Sequence, residues 1–239
     1  MIERLGGLWG HLQAQPVFWL LLTLGIFQLA SLLAKRTKGF PLANPVGLSI
    51  LLLVLILYFT STPYSVYFAG GQWIHFLLAP ATVALAVPLY LQQERIRSML
   101  IPLLLTLTSG SLLAITSSVG IAWLLGASPS SLLSLAPKSA TAPVAMGIVE
   151  KLGGIPSLTA AVVILTGVTG AVAAPWVLDR LNIREPAVRG FSMGLVSHGI
   201  GTARAFQESN ETGAFAGLGM GLNALMTAIL VPLLYRLFF

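Results

Sequence analysis

Two short blocks of this sequence bring cations and hydroxyls together with residues that interrupt helices. The first, Ala136-Pro137-Lys138-Ser139-Ala140-Thr141-Ala142-Pro143, holds one ammonium, two hydroxyls and two prolines. Proline frees backbone carbonyls, and a helix restarting after it aims unpaired N–H groups and its positive dipole end forward. The block has the parts of an anion cradle. The other reading is a lysine that snorkels to an interface while the prolines turn the chain. The second block is Ser197-His198-Gly199-Ile200-Gly201-Thr202-Ala203-Arg204. Gly199 and Gly201 can leave helical geometry, Arg204 offers a carboxylate-sized fork of donors, and histidine ordinarily titrates near neutrality. Here the other reading is an interfacial Arg204 and a His198 hydrogen-bonded to a neighbouring helix. Lys138, Ser139, Thr141, His198, Thr202 and Arg204 are the candidate binding residues for a small anion.

Other chemistries find little support. There are no cysteines, and His11, His75 and His198 show no ligand spacing, so neither a metal nor another cofactor is implied. The seven acids leave every long uncharged stretch without a carboxylate pair for acid-base work. No GxSxG elbow and no GxxxxGK phosphate loop occurs, so an enzyme is not expected. The 13 Lys and Arg lie largely in short loops between apolar runs, which reads as membrane orientation and not as nucleic-acid binding.

These blocks must be positioned by helices in a bilayer. The chain of 239 residues is 56% hydrophobic and 8% charged, and residues 39–93, 98–137, 152–178 and 212–235 are uncharged. Each such run exceeds the ~20 apolar residues that cross a membrane. The expected architecture is an all-α, polytopic membrane helical bundle, a single transmembrane domain over 1–239. Its spans are expected at about 17–34, 45–60, 73–91, 98–125, 155–177 and 213–235, with interrupted or re-entrant segments at 129–149 and 186–205. If the basic loops at 35–38, 94–97 and 180–189 all face the cytoplasm, an even number of crossings separates the last two. The segment 129–149 is then re-entrant. Gly190, Gly194 and His198 share a helix face, as do Gly213, Gly217 and Gly221, which are expected to pack helices within the chain or between copies. Asn223 is expected to hydrogen-bond across helices. Residues 1–16 carry one cation and no cleavage-site pattern, so a removed signal peptide is not expected.

Both polar blocks, together with Pro80-Ala81-Thr82-Val83-Ala84-Leu85-Ala86-Val87-Pro88-Leu89-Tyr90, Val144-Ala145-Met146, Gly153-Gly154-Ile155-Pro156 and Gly213-Ala214-Phe215-Ala216-Gly217-Leu218 in order, resemble the LrgB/CidB family. The family is also called antiholin-like or autolysis-modulating. The resemblance covers nearly the whole chain. It implies a bacterial plasma-membrane protein, the plastid inner envelope being the setting of some relatives. Family members were linked to murein hydrolase control and lysis, others resemble pyruvate carriers, and plastid relatives carry glycolate and glycerate. The expectation is a transporter subunit for small organic monocarboxylates, the alternative a holin- or antiholin-like regulator of murein hydrolase activity. A separate LrgA-like small membrane protein and a homo-oligomer are the implied partners. Ala142 departs from the family pattern, which has a second threonine there, and removes one hydroxyl from the cradle.

Overall fold

In the computed structural model, residues 10–36, 45–77, 80, 83–84 and 86–238 are described. The Thr37-Lys38 end of the first basic loop, the middle of the 73–91 span and Ala81, Thr82 and Leu85 of the Pro80–Tyr90 block lie outside them. Among the described residues there is no strand. Among these residues four helices are long and apolar enough to cross a membrane, and the protein is an all-α polytopic membrane bundle.

The chain divides into two compact units, at 1–84 and 85–239. The first contains α1 (Pro16–Arg36), α2 (Pro45–Phe59) and α3 (Tyr64–Phe76). Gly70 of α3 lies so close to the start of α1 that a Cβ there would stand 2.2 Å from the Pro16 carbonyl oxygen. The fully buried Trp19 fills the contact and stacks edge-on with Tyr67 at 5.9 Å.

The second unit holds α4 (Ala86–Leu91), α5 (Gln93–Ser98), α6 (Leu100–Leu124), α7 (Pro129–Leu135), α8 (Ala142–Leu152), α9 (Pro156–Arg180), α10 (Pro186–Phe206) and α11 (Asn210–Phe238). Leu103, Leu107, Ser111 and Ile115 recur every fourth residue along α6 and form its buried stripe. Against it pack Phe191 and Leu195 of α10 and Phe215 of α11.

Two hydrogen-bond patterns reveal that the interrupted segments fold back on themselves. The Ile155 N–H donates to Ser134 Oγ at 2.7 Å, and Thr159 Oγ donates to the Ser134 carbonyl at 3.0 Å. The chain therefore leaves α7 at Ser134, runs out through the break and α8, and returns to the same level before α9 starts. In α10 the guanidinium of Arg189 holds Glu208 at 2.9 Å. Nineteen residues of straight helix would separate the two by about 28 Å. The helix reverses instead at His198, whose φ of 42° and ψ of −132° are non-helical.

Each segment thus folds back on itself as a hairpin. The first has its base beside the start of α9; the second has its base at the other end, where Arg189 also binds Asp179 at 2.8 Å. Between these bases α9 runs 25 residues, about 37 Å. The two bases therefore lie at opposite ends of α9. Arg95 pairs with Glu185 and Glu211, which places the basic loops at 94–97 and 180–189 at one end, as the charge rule requires. The first arm of α10, residues 186–197, is long enough at about 18 Å to pass the middle of a ~30 Å hydrocarbon core.

Candidate functional site at the hairpin tips

Asn223, near the middle of α11, joins the two tips. Its Nδ2 donates to the Ser139 carbonyl of the first hairpin at 2.9 Å and to the Leu195 carbonyl of the second at 3.0 Å. Its Oδ1 accepts from Ser111 Oγ of α6 at 2.7 Å, so a fully buried amide is satisfied on every side. A half-satisfied amide at this depth would cost more than it contributes.

The first break comes from local chemistry. After α7, Pro137 begins a tight turn closed by the Ala140 N–H on its carbonyl at 2.9 Å, and α8 restarts with Thr141 as N-cap and Pro143 in its first turn. Ser139 is buried; Thr141 is half-buried, and its side chain makes no cap bond. Lys138 projects half-buried from the turn, and its ammonium reaches Ser139 Oγ only at a long 3.5 Å. Among the described residues no carboxylate pairs with it.

The second break falls on His198 and not on the adjacent glycines, which the sequence had suggested as the break points. His198 Nε2 lies 3.0 Å from the Val163 carbonyl oxygen, so this nitrogen carries the proton, and Gly167 leaves room for the ring. Gly201 serves close approach instead: a Cβ there would stand 2.5 Å from the Met193 carbonyl oxygen on the opposing arm. Thr202 is buried and donates to the His198 carbonyl at 2.9 Å, which starts the return arm.

A cavity of about 590 Å³ opens beside the tips, lined by Lys138, by Thr166, Thr169 and Gly170 of α9, and by Ser192 and Val196 of α10 among others. Lys138 is the one predicted site residue in that lining; Ser139, Thr141, His198, Thr202 and Arg204 do not line it. The Arg204 guanidinium sits six residues down the return arm, about 9 Å toward the base, and donates to Gln207 Oε1 at 3.2 Å. The structure thus gathers Lys138, Ser139, His198 and Thr202 around the tips and leaves Arg204 apart. Sequence reasoning missed the cavity hydroxyls Thr166, Thr169 and Ser192. The signal that could have found them was a pair of threonines one turn apart, followed by Gly170, in an otherwise apolar span.

Of the expected packing glycines, Gly213 abuts the Phe206 ring, Gly217 is buried, and Gly221 is exposed, with open space of at least 4 Å where a Cβ would stand. The closest backbone approach between α10 and α11 falls at Gly190 and Gly194, where a Cβ would lie 2.0 Å and 1.9 Å from the Thr212 and Ala216 carbonyl oxygens. Among the described residues no group of three or more His, Asp or Glu could share a metal ion.

The LrgB-like family profile matches residues 23–237. The chain belongs to the LrgB-like family. A Bacillus subtilis relative, the uncharacterised protein YwbG, is 36% identical over 191 residues, 80% of this chain and 85% of its own. An uncharacterised Haemophilus influenzae protein is 35% identical over 218 residues, 91% of this chain and 94% of its own. The holin-like protein CidB of Staphylococcus epidermidis is 29% identical over 225 residues, 94% of this chain and 98% of its own. No solved structure matches. As an LrgB-like protein with four membrane-length helices and these bacterial relatives, the chain is an integral membrane protein consistent with a bacterial plasma membrane.

Proposed function

We propose that this protein is a membrane carrier subunit for small organic monocarboxylates of the pyruvate, glycolate or glycerate type. The observation that carries the reading is Lys138, a half-buried ammonium facing a cavity at the tips of two hairpins, with no carboxylate partner among the described residues. A charge held at membrane depth without a counter-ion favours binding an anion. Ser139, Thr141, His198 and Thr202 surround the tips, and Arg204 stands on the exit path toward the base of the second hairpin. Uptake of labelled pyruvate, glycolate and glycerate into liposomes tests it, with and without an LrgA-like small membrane protein. Uptake is expected for at least one acid and is lost in Lys138→Gln; no uptake of any of them in either arrangement overturns the reading.

A second reading has its own support, and the names of the relatives favour it over the first. CidB of Staphylococcus epidermidis is named as holin-like, whereas none of the relatives named above carries a transported substrate in its name. On this reading copies associate in the bilayer and regulate murein hydrolase activity. Gly221, which opens outward from its own chain, is the place to test association. Dye leakage from vesicles that is abolished by Gly221→Leu and unaffected by Lys138→Gln supports the holin-like reading; leakage that is absent throughout counts against it.

A further inference from the structure

The cavity beside Lys138 is larger and more aliphatic than an acid of two or three carbons requires. At about 590 Å³ it is a groove with room for a longer guest, open on the side where Leu165, Val177 and Val196 are exposed. Its polar equipment is limited to one charge, from Lys138, and the hydroxyls of Thr166, Thr169 and Ser192. Elsewhere in the helices the hydroxyls of Thr108, Ser109, Thr116 and Ser134 donate to the carbonyl one turn back. Among the described residues, those of Thr166, Thr169 and Ser192 make no such bond. Behind Gly170 of the same wall, Ser197 Oγ is the one buried side-chain polar atom without a partner among the described residues. The rest of the wall is aliphatic, with Leu165, Ala173 and Val177 as its largest run along α9.

This combination selects a class of guest. A dianion would leave one charge unmatched, since no second cation lines the cavity, and a polyol would strand hydroxyls on the aliphatic wall. We infer that the site takes a singly charged aliphatic acid with a hydrocarbon body, its carboxylate on Lys138 and the free hydroxyls and its chain along Leu165, Ala173 and Val177. The inference rests on the carrier reading and extends the guest beyond the smallest acids. An anionic lipid headgroup has the same charge, but headgroups lie at the interface, whereas Lys138 stands at the tip of a hairpin directed toward mid-depth. The water-soluble acid is therefore the source.

Calorimetric titration of the purified protein in phosphatidylcholine nanodiscs with acetate, propionate, butyrate, pentanoate and hexanoate tests the inference. Affinity is expected to rise about fourfold for each added methylene. Ala173→Phe should weaken hexanoate more than acetate and so flatten the series, and Lys138→Gln should abolish binding of the whole series. Binding that is equal at every chain length overturns this inference and leaves the carrier reading standing. Failure of every acid, pyruvate and glycolate included, overturns both. A chain-length trend that survives in Lys138→Gln reports partitioning into the bilayer and also overturns it. Loss of butyrate binding when phosphatidylglycerol replaces phosphatidylcholine assigns the cation to a lipid headgroup and overturns the soluble acid as its source.

Discussion

The two hairpins reverse the chain by different physical means. In the first, the break is covalent in origin: Pro137 and Pro143 bracket the turn, and residues 136–141 contain no positive φ. In the second, one non-glycine residue turns the helix, although Gly199 stands next to it. A side chain at such a φ costs on the order of 1–3 kcal/mol and persists only when its surroundings hold it. Here they do, through the imidazole on the Val163 carbonyl at the tip and through Arg189 with Glu208 and Asp179 at the base. The first break is local and the second is tertiary, so the second should respond more strongly to changes distant in sequence.

The base of the second hairpin is where this difference should show most. Arg189 is buried and also donates to the Ile183 carbonyl, so Arg189→Met strips the largely buried Glu208 of its ion pair and leaves Asp179 only the long contact with Arg184 at 3.7 Å. A loss of about 3 kcal/mol is expected, read as a lowered thermal midpoint in detergent. An unchanged midpoint would mean that the second hairpin closes without its ion pairs. Asn223→Leu touches both tips and should cost about 2 kcal/mol by the same readout, because several buried partners lose their bonds together. The turn itself separates strain from lost bonding. His198→Ala and His198→Gly both lose the Val163 tie, but only alanine retains the strain. The alanine variant should be less stable than the glycine variant by about 1 kcal/mol; equal stabilities would show that no strain resides there. The smallest effect belongs to the first hairpin. Thr141 caps α8 without a side-chain bond, so Thr141→Ala should change stability by less than about 0.5 kcal/mol.

The same contrast explains what the sequence could convey. The first hairpin was legible because proline acts on its own neighbours, and the charge rule then required an even number of crossings. The second was legible as an interruption, from its glycines and its short uncharged run, but not as a reversal at His198. Nothing local marks a histidine for positive φ; the tie to Val163, 35 residues earlier, decides it. Asn223 stood out as a polar residue in an apolar span, whereas its partners Ser111, Ser139 and Leu195 come from three different elements. The cavity was hidden for the same reason, because Lys138 meets Thr166 and Ser192 only once both hairpins are folded. Arg204 looked equivalent to Lys138 in composition, yet the reversal carries it toward the base.

Carrier site and cavity alike depend on the two tips meeting beside Asn223. Because the chain contains no cysteine, a Ser139→Cys, Leu195→Cys double variant in native membranes can be treated with a short bifunctional thiol reagent and followed by protease cleavage in the intervening chain. The fragments should remain joined. Fragments that separate, while each single variant is shown to react, would mean that the tips lie apart.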